Sequence, residues 1–205
     1  MQEEKRRRSN RERTDATRAA LIAAARQLFV EKGYAETGTP AIVAAARVTR
    51  GALYHHFADK ADLLRAVIEA EARAVAEAIE ADTAVPASPL DALLTGSDAY
   101  FRAMAEPGRA RLLLLEGPAV LGPDGMADID RQTGGATLRE GLASALPPEL
   151  RATVSLDALA DLISAAFDRA ALAISLGEPA DGYRAAITAL LSRLAAPGPA
   201  AFQSR

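Results

Sequence analysis

Apolar residues recur three and four positions apart along most of the chain, and prolines and glycines cut that recurrence into helix-length pieces. No stretch alternates apolar and polar residues long enough to make a strand, and no segment repeats another. The pattern predicts an all-α fold. Composition agrees, because alanine, the best helix former, dominates the apolar half of the chain.

The prolines, glycines and capping residues place the pieces. Residues 1–13 (MQEEKRRRSNRER) are polar, basic and aperiodic, and are expected to form a disordered basic arm. A first helix over 16–32 follows Thr14 or Asp15 as cap, with Leu21, Ile22, Ala25, Leu28 and Phe29 on one stripe and Gly33 as its left-handed stop. Thr39-Pro40 opens a second helix over 40–46, Thr as cap and Pro at the first helical position. After the turn Arg47-Val48, Thr49 caps a third helix over 50–57. Asp59 and Asp62 supply an acidic first turn to a fourth, which runs to about 82 and must stop before Pro86. Further helices are expected over 88–106, 109–116, 136–145, 156–176 and 180–195, the last ended by Pro197-Gly198-Pro199. The glycine-rich stretch 119–137 carries no clear period. This divides the chain into an N-terminal three-helix helix-turn-helix domain over 14–64 and a C-terminal helical domain over 65–205.

Several chemistries are excluded or disfavoured. With no cysteine there is no disulfide, thiolate ligand or thiol nucleophile. The two histidines, His55 and His56, are helix neighbours about 100° apart and cannot share a metal-binding face. There is no G-x-S-x-G and no P-loop, and Gly134-Gly135 alone is a weak phosphate signal, so no enzyme, metal or cofactor is expected. A basic run precedes the apolar stretch 19–25, but Arg26 and Gln27 follow directly without a cleavage pattern. No segment reaches the roughly 20 apolar residues of a membrane span. A cytoplasmic chain with no membrane partner is expected.

The net charge of −3 hides an asymmetry. Residues 1–64 hold 12 Lys/Arg against 8 Asp/Glu, a net of +4; residues 65–205 hold 12 against 19, a net of −7. A basic end on an acidic body suits a chain that presents one end to a polyanion. On the third helix, Leu53 and Phe57 fall on one side, and Gly51 and His55 on the other with Tyr54 and Ala52 flanking. That outward face suits insertion into a DNA groove, with Gly51 permitting close approach and Arg50 in the first turn, where base edges are reached. Thr39 and Thr49 would aim two helix N-termini at phosphates.

The run Thr49-Arg50-Gly51-Ala52-Leu53-Tyr54-His55-His56-Phe57, followed by Lys60 and Leu63-Leu64, resembles the recognition segment of the TetR family of transcriptional regulators. Leu28-Phe29, Gly33-Tyr34 and Ile42 extend the likeness over 14–64; beyond that it is architectural. The resemblance implies double-stranded operator DNA as partner, with Tyr54, His55, His56 and Lys60 on phosphates and Arg50 and Gly51 nearest the bases. It also implies a homodimer and a second domain that takes a small-molecule effector. Two positions depart from the family: Gly38 stands where Thr is frequent, and Arg47 where Gly is usual. A left-handed Arg47 costs about 1 kcal/mol; it either binds phosphate or faces solvent. The basic arm over 5–13 either enters a minor groove or remains a solvated tail.

In the second domain, the helices over 156–176 and 180–195 are the expected dimer interface, through alanine-rich stripes that include Leu162, Ala170, Ala186 and Leu190. The ligand pocket is expected among Tyr100, Phe101, Met104, Leu113, Leu114, Glu116, Met126 and Phe167. Glu116 either meets a cationic ligand or faces solvent or nearby N–H groups. The function read from these features is a DNA-binding transcriptional regulator, a repressor released from its operator by a small-molecule effector. The alternatives are an enzyme and an architectural DNA binder without an effector. A second-domain pocket of roughly a few hundred Å3 separates the last from the first.

Overall fold

The computed structural model describes residues 2–196, with backbone alone at 2–11 and at Gly134. The described residues form helices only: α1 (Gln2–Lys32), α2 (Thr39–Ala45), α3 (Arg50–His56), α4 (Lys60–Asp82), α5 (Pro89–Met104), α6 (Arg109–Arg111) running into a π-helical turn (Leu112–Glu116), α7 (Gly117–Arg131), α8 (Gly134–Ala145), α9 (Pro148–Thr153), α10 (Leu156–Ser175) and α11 (Ala180–Ala195).

Most starts and stops follow from local chemistry. Asp59 caps α4 by accepting from the Asp62 N–H at 2.8 Å, and Ser88 caps α5 in the same way from Asp91 at 3.0 Å. Gly33 and Gly177 end α1 and α10 with positive φ, as expected. Three expectations are corrected. The arm over 1–13 is helical from Gln2, continuous with α1, because Glu, Lys and Arg are good helix formers and nothing breaks the run. The region 119–137, which lacks a clear period, forms most of α7 and the start of α8, with Gly122 bending α7 at φ 72°. Short α9 begins on Pro148, the second of two adjacent prolines, between the helices expected over 136–145 and 156–176. The Pro197-Gly198-Pro199 stop lies outside the described residues.

Two clusters hold the molecule. The first runs from Leu21, Phe29, Ile42 and Leu53 through Leu63, Leu64, Val67 and Ile68 to Leu112 and Ile129. The second joins α5, α8, α10 and α11 through Phe101, Leu142, Ile163, Phe167, Ile187 and Leu191. The boundary drawn at 64/65 therefore falls inside α4, whose buried stripe carries one apolar core from the three small helices into the larger bundle. A second tie is polar. Glu71 of α4, 6% exposed, accepts from Arg26 of α1 and from Arg109 of α6, each at 2.8 Å. Burial pushes its pKa up, but hydrogen bonds from both guanidiniums outweigh it and hold the carboxyl below its usual range.

Candidate nucleic-acid interface and a second-domain cavity

α3 is seated by Leu53 and Phe57, 0% and 2% exposed, which pack into the first cluster. Thr49 caps it, its hydroxyl accepting from the Ala52 N–H at 3.2 Å. The opposite face is open: Arg50, Gly51, Tyr54 and His55 are all exposed. Gly51 has no internal reason to be glycine. A Cβ there would meet no protein atom closer than Thr49 Oγ1 at 3.9 Å, yet glycine in a helix costs about 1 kcal/mol against alanine. Packing within the fold does not require the missing side chain.

Tyr54 organises this face. Hydrogen bonds from Thr39 and then from Arg50 hold its phenol below the usual pKa, and the Arg50 guanidinium lies 5.5 Å from its ring centroid. Thr39 thus does its work through its side chain, beside Tyr54. It is not the α2 cap as expected; Gly38 holds that position, extended and without a side-chain bond, and Thr39 is the first helical residue. Arg47 takes the left-handed conformation at φ 55°, the single non-glycine with positive φ among the described residues, and its side chain is exposed.

Two expected contacts are placed differently. The Lys60 ammonium turns inward, donating to the Tyr34 and Thr37 carbonyls at 2.8 and 3.0 Å and lying over the Tyr34 ring at 4.1 Å. It ties the turn after α1 to the head of α4 and so positions α2 and α3. His56 is half-buried; burial first, then the charges of His55 and Arg18, lower its pKa, against Asp15. His55 beside it stands exposed. Two residues were missed. Arg18 is exposed, with its guanidinium 5.3 Å from the Phe57 ring beside the end of α3; its outward position on the first helical stripe was the available signal. Thr37, 1% exposed, donates to the Gly33 carbonyl at 2.7 Å and locks the turn, which local sequence did not signal.

The second domain holds a cavity of about 1020 Å3 between α4, α5, the π turn, α7, α8 and α10. Tyr100, Met104, Leu113, Leu114, Met126 and Phe167 line it as expected. Phe101 and Glu116 do not. Phe101 is buried in the second cluster under the Arg184 guanidinium, on the side of α5 turned away. Glu116 pairs with Arg111 at 2.9 Å on the outer side of the π turn, against Gly33, where an added Cβ would sit 2.7 Å from the Arg111 guanidinium. The segment 108–116 therefore has two faces. Leu113 and Leu114 look into the cavity, while Gly108, Arg111 and Glu116 lie on the end of α1. Missed on the cavity wall were Asp130, Asp161 and Asp168. Asp161 and Asp168 are seven apart on α10, a spacing that puts both on one helix face. Among the described residues, no group of His, Asp and Glu is placed to hold a metal ion. No helix is long and apolar enough to cross a membrane.

Two family models match the chain: "Bacterial regulatory proteins, tetR family" over residues 21–67, and "Tetracyclin repressor-like, C-terminal domain" over residues 90–197. The HTH-type transcriptional repressor BepR of Brucella suis is 44% identical over 52 residues, 25% of each chain. The HTH-type transcriptional regulator TtgR of Pseudomonas putida is 42% identical over 62 residues, 30% of each. The chain thus matches under a third of the length of these curated relatives. A solved TetR-family transcriptional regulator from Pectobacterium atrosepticum is 33% identical, with a TM-score of 0.67 over 90% of this chain and 94% of that one.

Proposed function

Because this chain belongs to the TetR family of bacterial regulatory proteins, we propose that it is a DNA-binding transcriptional regulator, a repressor whose operator is released when a small molecule fills the second-domain cavity. The observation that carries the DNA reading is α3 itself. Its outward face joins a glycine that packing does not need to Arg50, a capped N-terminus and a Tyr54 phenol already polarised by Thr39 and Arg50. Arg50 and Gly51 lie nearest the bases. Thr39, Arg47, Thr49, Tyr54, His55 and Arg18 face the backbone, and Lys60 and His56 hold the unit in register.

A two-fold dimer would present two such helices about 34–36 Å apart, or a multiple of that. The exposed leucines Leu162 on α10 and Leu190 on α11, 70% and 41% exposed, support a homodimer through these two helices. Release would follow two routes from the cavity. α4 lines it with Ala72, Val75 and Ile79 and reaches the small helices through Leu63 and Leu64. The segment 108–116 lines it with Leu113 and Leu114 and bears on α1 through Gly108, Arg111 and Glu116. A π turn in such a place is a common mark of a functional site. The coupling expected between the two sites is about 1–3 kcal/mol, and operator must weaken effector by the same factor.

The test is selection of bound duplexes from a random library, then titration of the enriched sequence. Enrichment of a palindrome supports the reading; no enrichment over random duplex overturns it. Equal operator affinity with the cavity empty and filled would overturn release and leave a DNA binder without an effector.

A further inference from the structure

The cavity carries charge that its apolar lining does not call for. Leu93, Met104, Leu113 and Met126 suit a hydrophobic body. On the same walls stand Asp130 of α7, Glu140 of α8, and Asp161 and Asp168 of α10, against the single base Arg169. Asp168 accepts from the Tyr100 phenol at 2.9 Å, and Asp130 from the backbone N–H of Gly135. Among the described residues, no ion pair within 4.0 Å reaches any of the four; the neighbouring Arg131 and Arg139 are engaged with Asp128 and Asp157.

The carboxylates feel each other instead. Burial and then the charge of Asp161 push Asp130 above the usual carboxylate range. Because Asp130 is open to solvent through the cavity, the neighbouring charge is the cause that counts most there. Asp168 is also raised, by burial and, after the Tyr100 hydrogen bond that opposes it, by Asp130. Four acids against one lining base, with Arg131 acting on Asp130 from a distance while paired to Asp128, leave an excess of negative charge that focuses a negative potential into the space it lines.

We infer that the cavity takes an amphipathic organic cation, an ammonium- or phosphonium-type head against Asp130, Asp161 and Asp168 and an apolar body against the leucines and methionines. This rests on the reading of the cavity as the effector site. Volume and lining set the body: about 1020 Å3 is room for a drug-sized molecule. The walls disfavour anions and bare metal ions. A carboxylic acid would meet four carboxylates and one base. A bare metal ion lacks a ligand group, since none of the described acids cluster closely enough to hold one. Tyr100 and Phe167, edge to face at 5.1 Å beside Asp168, add aromatic surface of the kind that attracts cations.

The experiment uses the full chain and a pair of ions matched in shape and opposite in charge, tetraphenylphosphonium and tetraphenylborate, with neutral Nile red as reference. Calorimetry should find the phosphonium bound at least tenfold more tightly than the borate, and Asp161→Asn with Asp168→Asn should weaken the phosphonium by about tenfold or more while the helical circular dichroism persists. Comparison of the two ions on the unaltered protein needs no variant, so the inference stays exposed if the double variant unfolds. Nile red bound with no preference for the cation overturns the ligand class and leaves the cavity reading standing. None of the three bound overturns both.

Discussion

Removing the Glu71 carboxylate should expose how the two halves of the molecule are joined. Glu71 is 6% exposed and meets Arg26 and Arg109, whose side chains are 28% and 14% exposed. Deleting one partner of a fully buried ion pair costs about 3–5 kcal/mol, because the remaining charge is left without a counter-charge. Here Arg26 can still reach water and the Pro107 carbonyl at 3.4 Å, so the cost of Glu71→Ala is reduced to about 2–4 kcal/mol. For a chain of this size that is a fall in Tm of roughly 4–16 °C. Thermal unfolding followed by circular dichroism measures it, and a cycle with Arg109→Ala should return a coupling of about 1 kcal/mol or more. pH adds an independent check. A carboxyl whose folded pKa lies below its ordinary 4.5 contributes its stability above that value and loses it as pH falls through the folded value. The gap between wild type and Glu71→Ala should therefore be constant at neutral pH and close below 4.5. A loss under about 0.5 kcal/mol, as for an ordinary surface change, or a gap that does not close in acid, would refute the clamp.

Arg50→Ala should relax base preference at one operator position and cost about 1–3 kcal/mol, whereas Arg47→Ala should weaken all sequences alike and lower the salt slope by about 1; anisotropy titrations over a salt series distinguish them, and identical behaviour would sink the assignment. Leu162→Arg should yield folded monomers in sedimentation, because that side chain is 70% exposed on a single protomer; an unchanged dimer would move the interface elsewhere. Gly108→Ala should destabilise by about 2 kcal/mol or more, since φ is +80° and the new Cβ would lie 2.4 Å from a Val30 methyl; Val30→Ala should restore part of the loss, and no rescue would mean the contact is not the cause.

Residue order alone determined most helix starts and stops and the outward face of α3. Period, caps and punctuation act over one or two turns, so α3, its Thr49 cap and its buried Leu53 and Phe57 were legible from neighbours in sequence, whereas the left-handed Arg47 was implied by the family resemblance. Apart from the helical arm, the stretch 119–137 and α9, the errors fall where side chains meet across long separations. Lys60 turns from solvent to carbonyls more than twenty residues away. Glu116, Arg111 and Gly33 come together only when the π turn lies on α1. Ala170, read as a dimer contact, is 2% exposed inside the protomer, and Leu162 on the same helix faces out. An apolar stripe shows that a helix buries one side; it does not say against which partner. The acidic wall of the cavity follows the same logic. Asp130, Asp161 and Asp168 are ordinary surface residues by type, and only the tertiary fold brings α7 and α10 to the wall of one cavity, because mutual repulsion depends on distances in space that the order of residues does not contain.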